Sequence, residues 1–213
     1  MKIVVIGPAR SGSTKLSLVI GDHFASTQLC EIVKYGMTTE ERTSTILALR
    51  NQDNFCVKFW PSHINGLLHL IDWGDIDIIV ASNRESIVDS YISCWIAMER
   101  RQWIKYKSDQ WENSAFSVDV TDESICAWYN NFVILHKTVL TDIQTLTGRP
   151  VPMFTYDCIN DNNLLSSRLA EIGINVNSSQ INTGDIIPTG NNYKIMCQNY
   201  LDVEEAFARL GLA

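Results

Sequence analysis

Four short apolar runs punctuate the chain: residues 2–6 (KIVVI), 54–60 (NFCVKFW), 75–81 (DIDIIVA) and 150–156 (PVPMFTY). None alternates cleanly between apolar and polar positions, which predicts strands covered on both faces rather than strands with one wet side. Between and beyond them, apolar residues recur at helical spacing over 13–25, 38–51, 62–71, 84–101, 122–147, 160–172 and 201–211. The clearest stripe is Ile125, Trp128, Phe132, Leu135, Val139, Ile143 and Leu146, opened by Thr121 with Asp122 and Glu123 and closed by Gly148 with Pro150 beyond. Strands alternating with helices predict a three-layer α/β fold of the P-loop type: a central parallel sheet, right-handed crossovers and helices on both faces. Ligands of such sheets sit beyond the carboxyl ends of the strands. Chemistry is therefore expected at residues 7–14, 60–63, 82–84 and 156–157.

Composition narrows this picture. A chain of 213 residues that is 46% hydrophobic suits one domain over 1–213 with a sizeable core. A formal net charge of −7 argues against a general nucleic-acid or anionic-membrane binder and leaves room for a local basic pocket. Six cysteines, at 30, 56, 94, 126, 158 and 197, form no CxxC pair, so a reducing compartment without structural zinc is expected. With no signal-peptide layout and no run of apolar residues long enough to span a bilayer, the expectation is a cytoplasmic protein.

The stretch GPARSGSTKL, residues 7–16, follows the first apolar run. Gly7 and Gly12 match the spacing of the nucleotide loop G-x-x-x-x-G-K-[ST], but Ser13 stands where the lysine belongs, followed by Thr14. The cation is Arg10 instead, with hydroxyls at Ser11, Ser13 and Thr14. Backbone amides, hydroxyls and one guanidinium fork can hold an anion, yet they are poorly equipped for ordinary triphosphate hydrolysis.

RSGST directly after an N-terminal strand resembles the 5′-phosphosulfate loop of the sulfotransferase family. SNRESIVDSYISCWIA, residues 82–97, is similar to that family's second signature, and VPMFTYDCINDNNLLSSRLAEIGI, residues 151–174, to its strand ending in Tyr-Glu, with Asp157 replacing the glutamate. The resemblance covers most of the chain. It implies a sulfotransferase that moves a sulfuryl group from 3′-phosphoadenosine 5′-phosphosulfate to a hydroxyl of a small molecule or glycan, without a metal. It further implies that Arg84 and a serine hold the donor's 3′-phosphate. Arg84 precedes both Ser90 and Ser93 at spacings that differ from the family's, and Ser93 is favoured with Ser90 as the alternative. Gly12, Ser11, Ser13, Thr14 and Arg10 would hold the 5′ end, and Lys194, in a turn-rich stretch over 182–195, would lie near phosphate.

Branches resembling tyrosylprotein and trehalose sulfotransferases use a glutamate after the first helix as base, and Glu31 falls there. Cytosolic branches use a Lys-x-His pair; here Lys58 is followed by His63 at a longer spacing, which makes His63 the second candidate. Lys58 could contact the transferring group, or end its strand as a solvated charge. His63 could cap a helix, and Arg84 could pair with Glu85 or Asp89. His23, His69 and His136 read as structural. Residues 99–116, rich in Trp, Tyr and basic side chains, suit an acceptor lid or a helical extension packed on the body. The competing functions are a P-loop nucleotide or small-molecule kinase and a non-catalytic nucleotide-binding relative.

Overall fold

A computed structural model of the chain describes residues 1–29, 31–34, 36–99, 115–181 and 193–212. Its centre is a five-stranded sheet in the order β2-β3-β1-β4-β5, in which every pairing is parallel. The strands are β1 (Lys2–Ile6), β2 (Thr27–Gln28), β3 (Phe55–Phe59), β4 (Ile78–Asn83) and β5 (Met153–Thr155). The helices in chain order are α1 (Ser13–His23), α2 (Thr39–Ala48), α3 (Pro61–Ile64), α4 (Ile87–Glu99), α5 (Asp122–Tyr129), α6 (Leu135–Thr147), α7 (Tyr156–Asn160), α8 (Asn162–Glu171), α9 (Tyr193–Met196) and α10 (Tyr200–Arg209). The expected α/β class with an all-parallel sheet between helices is what the chain forms. Among the described residues, no helix is long and apolar enough to cross a membrane.

Alternation along β1 explains why its run is apolar throughout. Val4 and Ile6 face a core shared with Ile46 of α2, Ile64 of α3 and Val139 and Ile143 of α6. Ile3 and Val5 face the opposite core, with Leu16, Val19 and Ile20 of α1 and Leu165 and Leu169 of α8. A third cluster joins Tyr91 and Ile92 of α4 to Ile125 and Trp128 of α5 and Val203 and Phe207 of α10. Each such side chain, fully buried, contributes about 1.5–3 kcal/mol through area removed from water.

Several boundaries differ from the sequence pattern, each for a local reason. The helix expected over 62–71 stops at Ile64, because Gly66 takes φ 78° and only a short 3₁₀ turn follows at Leu68–Leu70. The strand expected from 75 begins at Ile78: Asp72 caps a 3₁₀ turn over Trp73–Asp75, and Asp77 exchanges hydrogen bonds with the Lys2 backbone. The last strand ends at Thr155, whose hydroxyl accepts from the Cys158 amide and starts α7. The long stripe over 122–147 is interrupted by a π-helical stretch, Asn130–Ile134, and ends at Gly148 with φ 63°. The short edge strand β2 carries no apolar run of its own and was not expected.

The order of the strands decides where a ligand would go. From β1 the chain crosses to the edge strand β2, returns to β3 beside β1, then passes to β4 on the other side of β1. The direction of winding reverses at β1, so the loop leaving its carboxyl end lies at the switch point of the sheet.

Candidate functional site

That loop is residues 7–12, between β1 and α1. A Cβ at Gly7 would lie 2.1 Å from Ser82 Oγ at the end of β4, so only glycine allows the approach. Ser11 Oγ and Ser82 Oγ are hydrogen-bonded at 2.7 Å, and Ser11 also reaches the Pro8 carbonyl at 2.8 Å. Arg10 has φ 67°, a left-handed conformation that costs an arginine roughly 1–3 kcal/mol and is held by the surrounding contacts. Gly12, at φ 83°, is the residue before α1, and the first helical bond there runs from Leu16 N–H to its carbonyl. The first-turn amides of α1 therefore point outward without intrahelical acceptors, with no acidic side chain in that turn.

On one side of the loop stands Lys58. Parallel pairing of β1 with β3 sets Val5 opposite Lys58 and brings the lysine beside the loop. Its side chain is buried, donates to Thr14 Oγ1 at 2.9 Å and forms an ion pair with the Glu31 carboxylate. Lys58 is thus not a solvated strand end. A cation from a neighbouring strand lies beside Thr14, the residue after Ser13. The ammonium also lies 6.0 Å from the Trp60 ring, on whose face His63 is stacked with centroids 5.0 Å apart. His63 lies within α3, whose cap is Trp60, and is only 4% exposed. Its Nδ1 has no hydrogen-bond partner among the described residues. Burial pushes the His63 pKa below the ordinary imidazole value, opposed by Glu31 and a hydrogen bond with the Val33 backbone, and reinforced by Arg42 and Lys58. Glu31, Lys58 and His63, three of the four candidate catalytic residues, consequently share one neighbourhood with Thr14.

On the other side stands a pair of arginines. Arg10 Nε donates to Ser93 Oγ of α4 at 3.0 Å. Burial lowers the Arg10 pKa, with the charge of Arg84 acting in the same direction and Tyr193 and Tyr156 opposing. Arg84 is 4% exposed, and its guanidinium carbon lies 4.2 Å from the Tyr156 ring centroid and 5.3 Å from that of Tyr193. Of the two candidate serines, Ser93 is the one that meets Arg10; Ser90 is buried in the first turn of α4, its N–H on the Ser86 carbonyl. Lys194 points elsewhere, pairing with Glu204 at 3.7 Å and lying 5.4 Å from the Tyr200 ring. Its neighbour Tyr193 is the α9 residue at the site. The sequence reading missed Tyr193, and the only signal was an aromatic at the end of the turn-rich 182–195 stretch.

Lys15, in the first turn of α1, donates to Asn162 Oδ1 at 3.1 Å and ties the loop helix to α8. Of the expected acceptor lid, residues 100–114 lie outside the described residues, as do 182–192 of the late loop. A separate groove of about 390 Å³ opens at the amino ends of the strands, between Lys2, Arg50, His69, Asp72 and Asp75, across the sheet from the loop. It shares no residue with the site. Among the described residues, no three His, Cys, Asp or Glu side chains are grouped to hold a metal ion. No protein-family model, curated protein or solved structure matches the chain.

Proposed function

We propose that the chain is a sulfotransferase that moves a sulfuryl group from 3′-phosphoadenosine 5′-phosphosulfate to a hydroxyl acceptor. The observation that carries this reading is a glycine-containing loop flanked by two separate cationic points, one of which carries the Glu31 carboxylate. Lys58 and Thr14 lie on the Glu31 side, and Arg10, Ser93 and Arg84 on the other. A donor with a phosphosulfate at one end of its ribose and a phosphate at the 3′ position asks for two such points.

In this reading Glu31 accepts the proton of the acceptor hydroxyl as the acceptor oxygen bonds to sulfur. The bond between sulfur and the bridging oxygen breaks, and its electron pair leaves with 3′-phosphoadenosine 5′-phosphate. Lys58 and the loop amides stabilise the charge growing on that oxygen. His63, buried and stacked on Trp60, is the second base candidate. The same cation beside Thr14 would also suit a nucleoside triphosphate, which keeps a P-loop kinase as the second reading.

Calorimetric titration with 3′-phosphoadenosine 5′-phosphate, set against ATP with Mg²⁺, separates the two. Micromolar binding of the bisphosphate is expected, weakened about 10- to 100-fold in Arg10→Ala by the loss of a charge-assisted contact worth ~1.5–3 kcal/mol. Mg²⁺-dependent ATP binding without bisphosphate binding would overturn the sulfotransferase reading in favour of the kinase.

A further inference from the structure

Lys58 is committed to two partners that belong to different halves of the proposed reaction. Thr14 is a hydroxyl of the α1 first turn that follows the loop, and Glu31 is the candidate base. An anion that accepts a hydrogen bond from Thr14 must come within reach of the ammonium already bonded to Thr14 Oγ1 at 2.9 Å. The two partners of the ion pair are also unequal: the Lys58 side chain is 6% exposed and that of Glu31 is 32% exposed. Leaving a buried ammonium without a counter-charge is costly, whereas a partly exposed carboxylate that loses its partner is met by water. An anion at the loop supplies the ammonium with a new counter-charge, and the carboxylate is the partner that can then leave.

We infer that Lys58 is an anion-dependent latch on Glu31: without an anion at Thr14 it holds the carboxylate, and an anion in the loop draws the ammonium and frees an Oε for the acceptor hydroxyl. Glu31's part as base rests on the sulfotransferase reading, whereas the latch itself rests on the shared ammonium. The consequence is a donor-first order, because Glu31 Oε1 stays paired with Lys58 until the loop is filled. The anion can shift this equilibrium only by the difference in its affinity for the two arrangements, so the latch must appear as a thermodynamic coupling between Glu31 and anion binding that runs through Lys58.

The test is a double-substitution cycle read by calorimetry at fixed pH and ionic strength. 3′-Phosphoadenosine 5′-phosphate and, separately, inorganic pyrophosphate are titrated into the unaltered chain, Glu31→Gln, Lys58→Met and the double variant. Glu31→Gln should bind roughly tenfold more tightly than the unaltered chain, and the same substitution in the Lys58→Met background should change affinity by less than about twofold. A Glu31→Gln that binds no more tightly overturns the latch. So does a gain that persists without Lys58, which would reflect plain repulsion between carboxylate and anion. If pyrophosphate shows the coupling and the bisphosphate does not bind, the latch stands and the sulfotransferase reading falls. If neither anion binds any of the four proteins, the latch falls too. Should Lys58→Met fail to fold, Lys58→Gln, which keeps a donor for Thr14 without the charge, takes its place.

Discussion

The two ends of the sheet handle polar groups in opposite ways. At the carboxyl ends Ser11, Lys58, His63, Ser82, Arg84 and Ser93 are all buried. At the amino ends the pairing is wetter: Lys2, 17% exposed, pairs at 3.4 Å with an Asp75 that is 66% exposed, and both line an open groove. Burying a polar or charged group costs free energy unless every bond is replaced, and an apolar substitute is often as stable. The concentration of buried charge around one loop therefore marks the end of the sheet where something other than stability has been arranged, and it coincides with the switch point at β1. The groove at the other end, of about 390 Å³, lacks that concentration of buried charge.

The strongest way to break this contrast is to remove the carboxylate paired with the buried Lys58. Under the proposed reaction, Glu31→Gln should lower turnover about 10²- to 10⁴-fold while anion binding is retained and tightened by the release of Lys58, as steady-state rates and calorimetry on the same preparation would show. Unchanged turnover would move the base to His63.

A second test asks what buried polarity costs where no bond replaces it. His136 on α6 is 4% exposed, its Nε2 has no hydrogen-bond partner among the described residues, and burial pushes its pKa down to about 4. Because the folded value lies below the unfolded one, the unfolded chain binds the extra proton. The stability is present above the ordinary histidine pKa near 6.5 and lost as pH falls towards about 4. At pH 5 the loss from this group is about 2 kcal/mol relative to neutral pH. His136→Leu should recover most of that difference in urea melts at the two pH values, leaving the smaller acid loss due to His63. Parallel curves for both proteins would place the acid sensitivity elsewhere.

The smallest effect is expected at the amino ends. Asp75→Asn removes an exposed ion pair and should change stability by less than about 1 kcal/mol, with no effect on bisphosphate affinity. A loss of affinity there would show that the groove and the loop communicate, and the contrast between the two ends would have to be given up.

Much of the scaffold is legible in the sequence. The apolar runs marked four of the five strands, Gly148 closed α6 where the stripe ended, and Gly7 and Gly12 bracketed the loop. The misses are as instructive. Thr27–Gln28 is a strand only because β3 lies beside it, and Ile78 starts β4 late because Asp72 and Asp77 settle the residues before it into a turn and a backbone contact. Within the site, Arg10, Lys58, Glu31 and Arg84 were identified as residue types, but their partners were not. Nothing near Lys58 in sequence points to Thr14, and nothing near Arg84 points to Tyr193.

The sequence by itself determined the α/β class, the position of the glycine-bracketed loop after β1 and the arginine within it, because burial period, caps and glycine conformations are local properties of the chain. Only the tertiary structure decided that Lys58 bonds to Thr14, that it is shared with Glu31, and that Ser93 meets Arg10. Those facts depend on strand order and register, in which Val5 lies opposite Lys58 and Ala81 opposite Ile6. Register is fixed by the packing of whole faces against one another, and no stretch of ten residues contains it.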